Sequence, residues 1–144
     1  MSESGPMPES GPMSGSTTVR GPALVLDEPL SFWGGLDPAT GRIVDVHHPQ
    51  HGRSIAGTVL VAAAVRGSTS SPSVLAESVR AGVGPAAVVL AEPDAGVAAA
   101  AMVVEELYGR PLPVVVCAPE TLTAVRTGDD LAVTDGVLEG LRPG

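Results

Sequence analysis

Apolar residues in this chain fall into short blocks separated by Gly, Pro and Ser. Residues 23–26 read as a short strand, and residues 42–46 alternate as a half-buried strand does. Residues 55–65 are continuously apolar and β-branched at several positions, which predicts a strand buried on both faces. Residues 86–90 and 112–117 predict two more buried strands. Between these blocks lie helical signals. Ser71 is an N-cap residue, Pro72 suits the first helical position, and Gly82 stops the segment 73–81. An Ala-rich helix over 95–108 ends at Gly109, and a short helix follows over 119–125. Residues 131–133 and 137–138 flank Thr134-Asp135-Gly136 as a hairpin.

Two loops complete the first half. Residues 27–37 enclose an apolar centre and lead into a Pro/Gly turn over 37–41; residues 47–52 form the second loop. Strands dominate the first half and β/α alternation the second. The reading is an α/β domain with a mixed sheet, barrel-like at its β-rich end. Ahead of it, residues 1–20 repeat a Glu-Ser-Gly-Pro-Met theme that cannot bury a face. They are expected to be a disordered tail, with the folded domain over 21–144.

Composition narrows the function. The chain has 144 residues, 44% hydrophobic but only 2% aromatic, so Val, Leu and Ala must build one modest core. Net charge is -8 and all 8 positive residues are Arg. An acidic chain without Lys is a poor nucleic-acid binder. No run approaches the ~18 apolar residues of a membrane span. The N-terminus lacks the basic start and apolar core of a signal peptide, so a cytoplasmic protein is expected. The single Cys, Cys117, sits in an apolar run and reads as a buried small hydrophobe. Alone it cannot hold a metal cluster, and no metal site is expected on this chain.

The richest chemistry is in Arg66-Gly67-Ser68-Thr69-Ser70-Ser71-Pro72. A strand that delivers glycine and hydroxyls onto a helix start makes an anion site, because free N–H groups and the helix dipole point at the ligand. Ser68 after Gly67 can act as nucleophile, base or anion ligand. The Gly-x-Ser-x-Gly elbow is missing, which disfavours a covalent serine enzyme. Arg66 borders the loop as a carboxylate clamp; Arg53 reads better as a solvated side chain. His47, His48 and His51 share one Pro-containing loop, a poor metal geometry, and suit shaping a turn or touching substrate. Phe32 and Trp33 beside Gly34-Gly35 suit a core anchor or an interface equally.

Several ordered motifs resemble the aconitase X family. They are Glu28-Pro29-Leu30-Ser31-Phe32-Trp33-Gly34-Gly35-Leu36-Asp37-Pro38, Thr40-Gly41, Ile43, Asp45 and His48-Pro49, then Gly57, Val59-Leu60, Arg66 to Ser71, Val74-Leu75-Ala76-Glu77 and Gly84-Pro85-Ala86-Ala87. The resemblance implies a swivelling β/β/α domain, the small subunit of a dehydratase. It implies a separate large catalytic subunit holding an iron–sulfur cluster, and a small hydroxy-acid substrate. Cis-3-hydroxy-L-proline is the preferred substrate and phosphomevalonate the alternative. By the same resemblance Ser68 is the catalytic base. Gly67, Thr69, Ser70, Ser71 and Arg66 then bind substrate. Where aconitase-type loops carry an Arg after the serines, this chain has Pro72 and Ser73. Two other readings stand beside it: a non-catalytic anion-binding module using the same loop, and an autonomous hydrolase, which lacks a convincing His/Asp set.

Overall fold

The computed structural model describes residues 18–66 and 71–141. The first strand, β1 (Thr18–Val25), runs antiparallel to β9 (Asp130–Thr134) and parallel to β5 (Val59–Ala62). Beyond β5 the sheet continues parallel through β7 (Ala87–Leu90) to β8 (Val114–Val116). Beyond β9 it ends at β10 (Val137–Leu141). The six-stranded order is β10-β9-β1-β5-β7-β8, a mixed sheet as expected. Helix α2 (Ser71–Arg80) connects towards β7, and α3 (Ala95–Tyr108) connects β7 to β8.

The two helices pack on each other and on one sheet face. That face supplies Leu24, Leu60, Ala62, Val88 and Leu90. The opposite face supplies Ala23, Val59, Val61, Val89 and Val133, closed by Leu122 of the short helix α4 (Pro119–Thr123). Alternate residues of β5 and β7 therefore serve two cores, which is why both strands read as unbroken apolar runs.

Helix ends follow local chemistry. Asp94 caps α3 by accepting from the Val97 N–H at 2.9 Å, and Gly109 ends it at φ 65°. Gly82 at φ 83° ends α2, with Gly82 N–H donating to Val79 and Val83 N–H to Ser78. The final hairpin turns at Asp135 (φ 52°) and Gly136 (φ 77°), the left-handed pair that suits a two-residue turn.

Four expectations need correcting. The first strand begins at Thr18, inside the stretch read as tail, because β9 pairs with it from Thr18↔Thr134 onward. The run 55–65 is not one strand. Gly57 (φ 71°) and the Thr58 hydroxyl bond to the Ile55 carbonyl close a turn, and a bend at Ala63 separates β5 from β6 (Val65–Arg66). The strand expected over 42–46 is only β4 (Arg42–Ile43), ended by a turn at Asp45 whose carboxylate accepts from His47 N–H. The loop 27–37 contains β2 (Leu30–Ser31), the single turn α1 (Phe32–Gly35) and β3 (Leu36–Asp37), which pairs with β4.

Gly41 shows where backbone space is decisive. It has φ 78°, and a Cβ there would lie 2.5 Å from the Val83 carbonyl oxygen. Gly52 has φ 87° but open space around it. Gly41→Ala is expected to cost roughly 2–4 kcal/mol and Gly52→Ala only about 1 kcal/mol. Urea unfolding of the two variants checks this; equal losses would mean that strain alone, not the Val83 contact, sets the cost.

Candidate functional site: the loop between β6 and α2

The site is defined by its two ends. On one side β6 pairs in parallel with β2, Leu30 with Val65 and Ser31 with Arg66. On the other side α2 begins at Ser71. Gly67, Ser68, Thr69 and Ser70 lie outside the described residues, and of Arg66 and Ser71 the structure describes the backbone alone. Residues 67–70 therefore connect a strand end to the first turn of a ten-residue helix, the end at which a helix dipole presents positive charge.

Beside the β6 end stands α1. Phe32 is 1% exposed and belongs to the main core, while Trp33 is 59% exposed. The two readings of this pair thus divide: Phe32 anchors and Trp33 faces outward. The turn is set by Gly34 at φ 83° and by Ser31, whose hydroxyl donates to the Trp33 carbonyl at 3.0 Å. Val44 N–H donates to the Gly35 carbonyl at 2.9 Å, which brings exposed Val44 alongside α1.

The three histidines do different things. His47 and His51 are exposed. His48 is 4% exposed and fully engaged. Its Nδ1 accepts from Gln50 N–H at 3.0 Å and its Nε2 lies 3.0 Å from the Glu28 carbonyl. Gln50 in turn bonds Asp27 twice: its Oε1 accepts from Asp27 N–H at 3.1 Å, and its Nε2 donates to Asp27 Oδ2 at 2.9 Å. This strap between 27–28 and 48–50 was not foreseen. His48 before Pro49 hinted at a shaped turn; Asp27 and Gln50 carried no signal. Arg53 is exposed, as expected.

A cavity of about 410 Å³ opens at the carboxyl ends of β1 and β5. Val25, Leu26, Asp27, Ala63 and Leu122 line it. Ligands in open α/β sheets gather at such strand ends. A groove of about 430 Å³ runs between α2 and α3, with Ser73, Glu77 and Tyr108 on its walls. Electrostatics near α2 is quiet. The Arg80 guanidinium donates to the Glu77 carboxylate and holds it below the usual carboxylate range, a local helix pair. Burial pushes the Cys117 thiol up, which argues against a thiolate nucleophile.

An iron–sulfur cluster does not fit the described residues. Such a cluster needs several thiolates. The chain has one half-buried Cys, and no three His, Cys, Asp or Glu side chains converge among the described residues. Among the described residues, no helix is long and apolar enough to cross a membrane.

Comparison with known proteins gives a consistent result. The sequence profile described as the aconitase X swivel domain matches residues 11–140. The phosphomevalonate dehydratase small subunit of Methanothermobacter thermautotrophicus is 57% identical over 56 residues, 39% of this chain and 43% of that one. The cis-3-hydroxy-L-proline dehydratase of Pseudomonas aeruginosa is 41% identical over 122 residues, 85% of this chain but only 21% of that one. The chain thus spans less than half the length of these relatives. Among solved structures, holo aconitase X of Thermococcus kodakaraensis superposes with a TM-score of 0.78 at 30% identity, covering 88% of this chain and 92% of that chain.

Proposed function

The chain belongs to the aconitase X swivel domain family, and from that premise we propose that it is the base-bearing small subunit of an iron–sulfur-dependent hydro-lyase acting on cis-3-hydroxy-L-proline. The observation that carries this reading is the profile match over 11–140, which includes the whole Arg66–Ser71 motif.

In this reading the partner is a large catalytic subunit of aconitase X type, and the cluster belongs to it. The substrate is a β-hydroxy acid. Ser68 takes the proton from the carbon next to the carboxylate, the C–O bond to the β-hydroxyl breaks, and a C=C bond forms as water is lost. A serine is a weak base in water. N–H groups at a helix start stabilise an alkoxide, and in this reading Ser68 lies three residues ahead of α2, which begins at Ser71. Thr69, Ser70, Ser71 and the Arg66 guanidinium hold the substrate carboxylate. Departure of the hydroxide falls to the partner in this reading. Cytoplasmic localisation goes with this metabolic role.

Hydroxyproline is preferred because the relatives of that name align over most of this chain: 85% of it for the Pseudomonas protein and 86% for the one from Hypocrea jecorina. A second reading, phosphomevalonate, is favoured by the 57% identity of the Methanothermobacter match over its shorter span. Co-expression with a cysteine-containing large subunit, followed by a panel of both substrates, decides between them. The isolated chain is expected to be colourless and inactive. Turnover should appear only in the complex. Binding of a small anion by the isolated chain, with no cluster-bearing partner co-purifying, would instead favour a regulatory module.

A further inference from the structure

His48 is buried and lies outside the proposed proton-transfer step, yet its ring is the centre of the strap that leads into β2. We infer that His48 is a positioning residue that fixes the β6 end of the 66–71 loop through the Glu28 carbonyl, an inference that rests on the function proposed above.

The ring state follows from its neighbours. Gln50 N–H can only donate, so Nδ1 must present a lone pair. The Glu28 carbonyl can only accept, so Nε2 carries the hydrogen. His48 is therefore one neutral tautomer bridging two backbone segments 20 residues apart. The Glu28 carbonyl it grips lies two residues before Leu30. Gln50 grips Asp27 from the other side. The segment so held enters β2 directly, and β2 pairs with Val65 and Arg66. A two-residue parallel pairing has few hydrogen bonds of its own, so its direction depends on what clamps its entry. The order of transmission is His48, Glu28, β2 and then the Arg66 backbone, the residue from which 67–70 continue. A base must sit within hydrogen-bond reach of the proton it removes, and small displacements there are costly.

Two conservative variants separate this role from simple turn-building. Asn ends near the Nδ1 position and keeps an acceptor for Gln50 N–H, but does not reach Glu28. Gln reaches the Nε2 position and keeps a donor for Glu28. In the two-subunit enzyme, His48→Asn is expected to lower kcat roughly ten- to hundredfold with KM within about twofold, and His48→Gln to stay close to wild type. Hydrogen exchange of the Val65 and Arg66 amides in the same complexes should rise for His48→Asn only. Wild-type kcat in His48→Asn, or an equal fall in both variants, overturns the inference. Unfolding of both overturns it too, because His48 would then hold the fold rather than aim the loop. A wild-type complex inactive on both substrates overturns the proposed function instead, and the exchange measurement still decides the tether.

Discussion

Ser68→Ala in the two-subunit enzyme is expected to lower turnover by about 10²–10⁴-fold, the usual contribution of a positioned general base. Alanine removes the only proton acceptor at that position and leaves the backbone N–H groups untouched. Assembly should be intact, so the complex should co-elute as before with the partner's visible absorbance unchanged. Substrate binding should survive as well, because the proposed carboxylate contacts come from Thr69, Ser70, Ser71 and Arg66. A fall in kcat with KM nearly constant is thus the signature. Near-normal turnover would remove Ser68 as the base. The autonomous hydrolase reading fares differently in the same assays: an activated ester should give no burst with either protein, since the Gly-x-Ser-x-Gly spacing of a covalent serine is missing.

The largest stability loss is expected from Phe32→Ala, about 3–5 kcal/mol. Phe32 is 1% exposed and sits in the same cluster as Leu30, Leu36 and Ile43 of β2, β3 and β4. A domain of this size is stable by only about 5–15 kcal/mol, so the variant should sit close to unfolding at physiological temperature. Trp33→Ala, one residue on, should move stability by no more than about 0.5 kcal/mol, because its side chain is mostly in solvent. Chemical denaturation of the pair measures the contrast directly. Equal destabilisation would mean that α1 is held by both aromatics.

What the sequence made legible follows from where the information sits. β5 and β7 stood out because each is buried on both faces, so composition alone marks them. Helix α3 stood out through its Ala content and its Gly109 end, and the hairpin through Asp135-Gly136. The beginning of β1 was hidden because what makes Thr18 a strand residue is Thr134, whose hydroxyl bonds its own across 116 residues. The run 55–65 hid its bend because residues on both sides of it are apolar. β2 and β3 have two residues each, too short for any periodicity.

The candidate site divides the same way. Gly67 and the four hydroxyls suggest an anion loop by residue type, and the proposed base, Ser68, rests on the family motif, residues 67–70 lying outside those described. The strap that braces the loop is silent in sequence because its key acceptor is the backbone carbonyl of Glu28, which any residue provides.

The placement of β1 has a mechanical consequence. Thr18 lies beside the turn of the final hairpin, while Val25 at the other end of the strand reaches the level of Val61, where β5 runs on toward the loop. Eight residues of extended chain span roughly 25 Å. A body gripped at the Thr18 end is a lever with its working tip at the far end. A rotation of about 10° about that grip sweeps the tip through roughly 4 Å, given the same strand length. That travel exceeds a hydrogen-bond length, so contacts made at the Val25 end are the ones most sensitive to a small turn at the Thr18 end.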